Sequence, residues 1–181
     1  MEQKGFTVRR IVIAGVLSAI AILLGATRLG FIPVPTAAGN ATIMHVPAII
    51  GGIMEGWVVG GIIGFIFGIF SFLQATIPLF KDPLVAIFPR IFIGITAYFT
   101  YVGLKRFNEY VALIVAAAVG TLTNTVLVLT MAVVRGYMAP GVALGVGITH
   151  GIPEIIVACI LVVAVVAAWK RVETGRGRSK V

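Results

Sequence analysis

Apolar positions in this chain run in long unbroken blocks, without the alternation of a half-buried strand or the stripe of a soluble amphipathic helix. A helix that crosses a hydrocarbon layer about 30 Å thick needs roughly 20 such residues. Blocks near that length, bounded by charges or by Pro and Gly, fall at 11–27, 57–75, 84–104, 110–134 and 141–169, with a shorter one at 41–54. The pattern predicts an all-α integral membrane protein, a bundle of six transmembrane helices. The 41–54 block contains Pro47, so it is expected to be kinked or to cross only part of the layer.

Composition agrees with the pattern. Of 181 residues, 60% are hydrophobic and 11% charged, and the mean hydropathy is +1.12, far from the average soluble domain. Lys4, Arg9 and Arg10 precede the first block as they would in a signal peptide. The following "RLGFIPVP" offers no convincing cleavage site, and the block is read as a retained helix.

Lysine and arginine beside span ends remain on the cytoplasmic side. With both termini inside, ten cations are cytoplasmic (Lys4, Arg9, Arg10, Lys105, Arg106, Lys170, Arg171, Arg176, Arg178, Lys180) and three are external (Arg28, Lys81, Arg135). The chain thus divides into a cytoplasmic N-terminus (1–10), a membrane domain (11–169) and a basic cytoplasmic tail (170–181), in a multi-pass protein of the cell membrane. The net charge of +8 is explained by topology and anionic-lipid contact, without nucleic acid.

Lipid tails give apolar helices no hydrophobic reason to associate, so close packing relies on small residues. Gly60, Gly64 and Gly68 form such a stripe, with Gly61 beside it. Gly15 and Ala19 form a shorter one in the first block, suited either to packing inside the bundle or to docking a partner helix.

Ionisable residues at membrane depth face a partner or a water-filled cavity. The deep ones are Arg90, His150 and Glu154, and the last two share a helix face at a spacing of four. Pro153, Pro89 and Pro47 lie next to or near Glu154, Arg90 and His45, so three spans join an ionisable group to a helix-disturbing proline. His45 lies near the outer end of its span and Asn124 near the middle of the fifth, so these groups converge in the outer half of the bundle. Two loops are candidate covers: "RLGFIPVPTAAGN", which ends in Asn40, and the one carrying Lys81 and Asp82. The competing reading is a structural tie, with Arg90 and Glu154 neutralising each other and His150 and Asn124 bonding helices together.

Several chemistries have no motif here. There is no phosphate-cradling GxxxxGK[ST], no GxSxG, and no HExxH among the two histidines. Cys159 stands alone. No catalytic residue, metal or cofactor is expected, and the chain is not expected to be an enzyme.

The run "GVLSAIAILLG…LGFIPVP…NATIMHVPAIIGGIMEGWVVGGIIGFIFGIFSF", followed by "DPLVAIFPRIFIGITAY", "GTLTNTVLVL" and "THGIPEIIVACI", resembles the substrate-binding (S) component of energy-coupling factor (ECF) vitamin transporters. The likeness spans roughly residues 8–170. It departs in the first span, where the family often shows AxxxA and this chain has Gly15 and Ala19. The resemblance implies six helices and a vitamin site near the outer face under the first outer loop. It also implies a complex with a transmembrane coupling subunit and two cytoplasmic ATPases. Carried onto this sequence, partner docking falls on Gly15 and Ala19. Binding falls on Asn40, Arg90, Asn124, His150 and Glu154, with His45 nearby.

Riboflavin is the expected ligand, because Glu154, Asn124 and Asn40 would accept its donors while Phe88, Phe92 or Tyr98 stacks on its ring. Pantothenate follows closely, with Arg90 on its carboxylate and an anionic Glu154 counting against it. Two other classes remain open: an assembly subunit that binds no ligand, and a stand-alone proton-coupled carrier built on His150 and Glu154.

Overall fold

The first apolar block forms α1 (Val8–Ala26), 19 residues, which at about 1.5 Å per residue nearly equals the hydrocarbon thickness. The computed structural model describes residues 7–32 and 41–178. Asn40, and Pro33, Pro35 and Gly39 of the expected cover, lie outside the described residues.

After α1 come α2 (Val46–Glu55), α3 (Trp57–Leu73), the single turn α4 (Pro83–Ala86), α5 (Phe88–Leu104), α6 (Glu109–Val134) and α7 (Pro140–Arg178). Four stretches are long and apolar enough to cross a membrane: Val8–Ala26, Pro83–Leu104, Glu109–Val134 and Pro140–Val172. The apolar α2 and α3 are shorter, at 10 and 17 residues.

The 41–54 block therefore forms a helix shorter than the four long ones, as its length foretold, and without a kink. Pro47 lies in the first turn of α2, where its missing N–H would have had no helical partner and its fixed φ suits helix entry. Residues ahead of the helix form part of a small antiparallel ribbon of β1 (Phe31–Ile32) and β2 (Ala41–Thr42), with Phe31 opposite Thr42.

The central helix is α2. It packs against α1, α3, α5, α6 and α7, and every one of its residues except Met54 is buried. It meets α3 at Gly56, whose φ of +104° is a conformation open to glycine and strained for other residues. The reversal brings Gly52, Gly60 and Gly94 of three helices into backbone contact. A methyl group at Gly60 would stand 2.7 Å from the Gly52 Cα and 2.9 Å from that of Gly94. The Gly60, Gly64 and Gly68 stripe thus faces other helices as the sequence predicts. Gly64 abuts the Arg90 carbonyl and Gly68 the backbone at Ala86 and Ile87.

By contrast, α1 is peripheral. Ala14, Ser18 and Ala21 are buried against the bundle, while Gly15 and Ala19 are exposed. A Cβ added at Gly15 would meet nothing within 4 Å. Of the two readings for this stripe, inward packing holds for the Ala14 and Ser18 face and fails for Gly15 and Ala19.

Candidate functional site

Proline chemistry places Arg90. Pro89 opens α5, and its missing N–H leaves the Val85 carbonyl, four residues earlier, without a helical donor. The Arg90 guanidinium supplies one, donating from Nη1 to that carbonyl. The same group lies 5.1 Å from the Phe80 ring centroid and 5.7 Å from that of Phe67, in the range of cation–π attraction. Its Nε remains buried without a partner.

Two of the three prolines read as disturbing thus begin helices. Only Pro153 lies inside one, and α7 continues through it. His150 and Glu154 lie on the same buried face of α7, 7% and 5% exposed. Glu154 Oε1 accepts the backbone N–H of Thr42 at 2.7 Å, tying the ribbon to α7, and the Thr125 hydroxyl is a further partner. His150 Nδ1 lies 3.3 Å from both the Thr149 hydroxyl and the Val146 carbonyl.

His45 caps α2 and is fully buried. Its Nε2 is 3.0 Å from the Thr121 hydroxyl, which itself donates to the Ala117 carbonyl. Thr121 lies near the middle of the 26-residue α6, so His45 sits at about mid-depth and not at the outer end. The ribbon segment carries the chain inward before α2 starts. Asn124 occupies the same face of α6 one turn from Thr121, 6% exposed, and its Oδ1 has no partner. His45 Nδ1 is likewise buried without one.

The structure therefore places His45, Arg90, His150 and Glu154 in one buried polar region, where the charge of Arg90 acts on both His45 and Glu154. Asn124 lies on the inward face of the same region. The simple Arg90–Glu154 neutralising pair is not formed, since the ion pairs among the described residues do not include it.

Each aromatic residue expected to stack on a ring packs on a neighbouring ring of its own helix. Phe88 packs edge-on against Phe92 at 5.0 Å and Tyr98 against Phe99 at 5.2 Å. Phe67 and Phe80, which the sequence reading omitted, flank Arg90 instead. Thr121 and Thr125 were also missed, although "GTLTNT" places them on the face of Asn124. The Thr42 contact is made by a backbone N–H, for which no side chain gives a signal.

The second candidate cover is fastened. Asp82 caps α4 by accepting from Leu84 N at 3.0 Å and pairs with Arg135 Nε at 2.6 Å, with the Tyr137 hydroxyl at 3.5 Å. Arg135 beside it holds the Asp82 carboxyl below the usual carboxylate range. A depressed carboxyl pKa contributes stability above its unfolded value and loses it as pH falls through the folded one. The fastening therefore persists through neutral and mildly acidic pH.

The model of the family "ECF transporter, substrate-specific component" matches residues 9–166. The pantothenic acid transporter PanT of Lactococcus lactis subsp. cremoris (strain MG1363) is 34% identical, over 70% of this chain and 76% of that protein. A solved S component of a bacterial ECF transporter superposes with a TM-score of 0.64 at 20% identity, covering 92% of this chain and 96% of that one. That structural likeness speaks for the fold. Together with the buried polar layer inside an apolar bundle, the match along most of the sequence settles the class: the chain is a membrane transport component and not an enzyme, and it belongs to the family of ECF transporter substrate-specific components.

Proposed function

We propose that this chain is the vitamin-binding membrane subunit of an ECF uptake transporter and that its substrate is pantothenate, in place of riboflavin. The observation that carries the reading is the presence, in this layer, of buried polar atoms left without protein partners, Arg90 Nε and Asn124 Oδ1. In a bilayer such atoms are costly, and a polar ligand is what would satisfy them. Pantothenate supplies a carboxylate for Arg90, and hydroxyl and amide groups for Asn124, His45 and His150. Asn40 remains a candidate contact from the first loop.

The objection from Glu154 weakens on geometry. Its carboxylate is engaged by Thr42 and Thr125 and does not occupy Arg90, so the guanidinium stays available to an anion. The pantothenic acid transporter relative supports the same choice.

In this reading six helices span the membrane with both termini cytoplasmic, as the loop cations argue. The substrate is captured from outside, and energy comes from a transmembrane coupling subunit and two cytoplasmic ATPases. The exposed Gly15 and Ala19 are the docking face on α1. No resident cofactor takes part.

Calorimetry on the chain purified in detergent, with pantothenate and riboflavin titrated in parallel, tests the assignment. Saturable one-to-one pantothenate binding with no riboflavin heat is expected. Tighter binding of riboflavin, or of neither vitamin, would overturn it.

A further inference from the structure

The end of the bundle opposite the polar layer holds a second feature, an open cleft of about 200 Å³ between α1, α2, α5 and α7. Its floor is apolar, with Ile53 and Val166, and its rim carries Arg9, Lys105 and Lys170. Among the described residues cations exceed carboxylates here. Glu55 is shared by Arg9 at 3.2 Å and Arg10 at 3.8 Å, and Glu109 pairs with Lys170, which leaves the surroundings net positive. Lys105 lies against the Tyr101 ring, 5.7 Å from its centroid, and is exposed.

The cleft also lies at a membrane boundary. Lys105 follows the last residue of α5, Leu104. Trp169, 41% exposed, lies on the rim beside Lys170. Tryptophan and tyrosine next to lysine mark the headgroup level of a bilayer, and basic pockets between spanning helices at this level suit phosphate headgroups.

We propose that this cleft is a specific binding site for one anionic phospholipid, whose phosphate lies between Lys105, Lys170 and Arg9 while its glycerol and upper acyl chain cover Ile53, Val166 and Trp169. The existing ion pairs do not stand against it. They hold Arg9 and Lys170 at the rim and keep the excess charge in one place. A zwitterionic lipid brings its own ammonium into that positive field and is disfavoured. A soluble phosphate ester would share the ionic contacts but would leave the apolar floor exposed.

The test is native mass spectrometry of the full chain in detergent with phosphatidylglycerol or phosphatidylcholine of identical acyl chains. One retained phosphatidylglycerol in preference to phosphatidylcholine is expected. Lys105→Ala should weaken retention about fivefold, Lys105→Arg should restore it, and Lys81→Ala at the opposite end should leave it unchanged. Equal retention of both lipids, or indifference to Lys105→Ala, overturns the site. Complete displacement of the lipid by inorganic phosphate also overturns it, by assigning the cations to a soluble anion. None of these readouts depends on which vitamin the polar layer binds.

Discussion

The two ends of the bundle use charge in opposite ways. At the end that carries Lys105 and Lys170, each carboxylate among the described residues meets a cation: Glu55 meets Arg9 and Arg10, and Glu109 meets Lys170, with the Tyr101 hydroxyl beside it. In the polar layer, Arg90 and Glu154 sense each other without forming a pair, and Arg90 Nε and Asn124 Oδ1 lack partners. A closed set of ion pairs maintains a structure. A set of deep groups with capacity to spare is what the proposed substrate would use.

The strongest way to break this contrast is Arg90→Ala. Removing one side of a buried charged contact to a ligand is expected to cost about 2–5 kcal/mol of binding, read by calorimetry with pantothenate. Circular dichroism should remain helical, because the single carbonyl that loses its donor is one at a helix break. Unchanged affinity would move Arg90 to the structural side of the comparison.

Gly64→Ala comes next. The glycine lies against the Arg90 carbonyl, so a methyl group must push the first turn of α5 away from α3. Overpacking of this kind costs about 1–3 kcal/mol. It should lower the thermal midpoint and weaken ligand binding together. A stability loss with full affinity would show that the placement of Arg90 does not depend on this contact.

The smallest effect is expected from Glu55→Gln at the matched end. Its partners are partly exposed, 58% for Arg9 and 31% for Arg10, so the loss should be about 1 kcal/mol or less, seen in detergent thermal unfolding with ligand affinity unchanged. A drop in affinity as large as that of Arg90→Ala would erase the distinction between the two ends.

Much of this was legible in the sequence for physical reasons. Apolar block length gives helices, so four of six blocks matched an element within a few residues at both ends, and the glycine stripe at 60, 64 and 68 named its own packing face. The deep set Arg90, His150 and Glu154 was visible because ionisable residues in apolar runs have few innocent explanations. What hydropathy does not carry is helix starts. Pro47 and Pro89 were therefore read as disturbing helices that they in fact begin, and His45 was placed too near the surface. The Asp82–Arg135 pair joins residues 53 positions apart, and no local pattern announces such a contact. That Phe88 packs on Phe92 and Tyr98 on Phe99 was not legible, because a helix face cannot be assigned from residue type alone.

The bond from Thr42 N–H to Glu154 has a further consequence. A single carboxylate belongs both to the layer that would contact substrate and to the anchor of the segment above it. Any occupant that draws on Glu154 alters the hold on that segment, and any movement of the segment alters what Glu154 offers the occupant. If substrate draws on Glu154 as proposed, thermodynamic reciprocity makes the two effects equal in free energy, and occupancy of the polar layer would be coupled to the hold on Thr42.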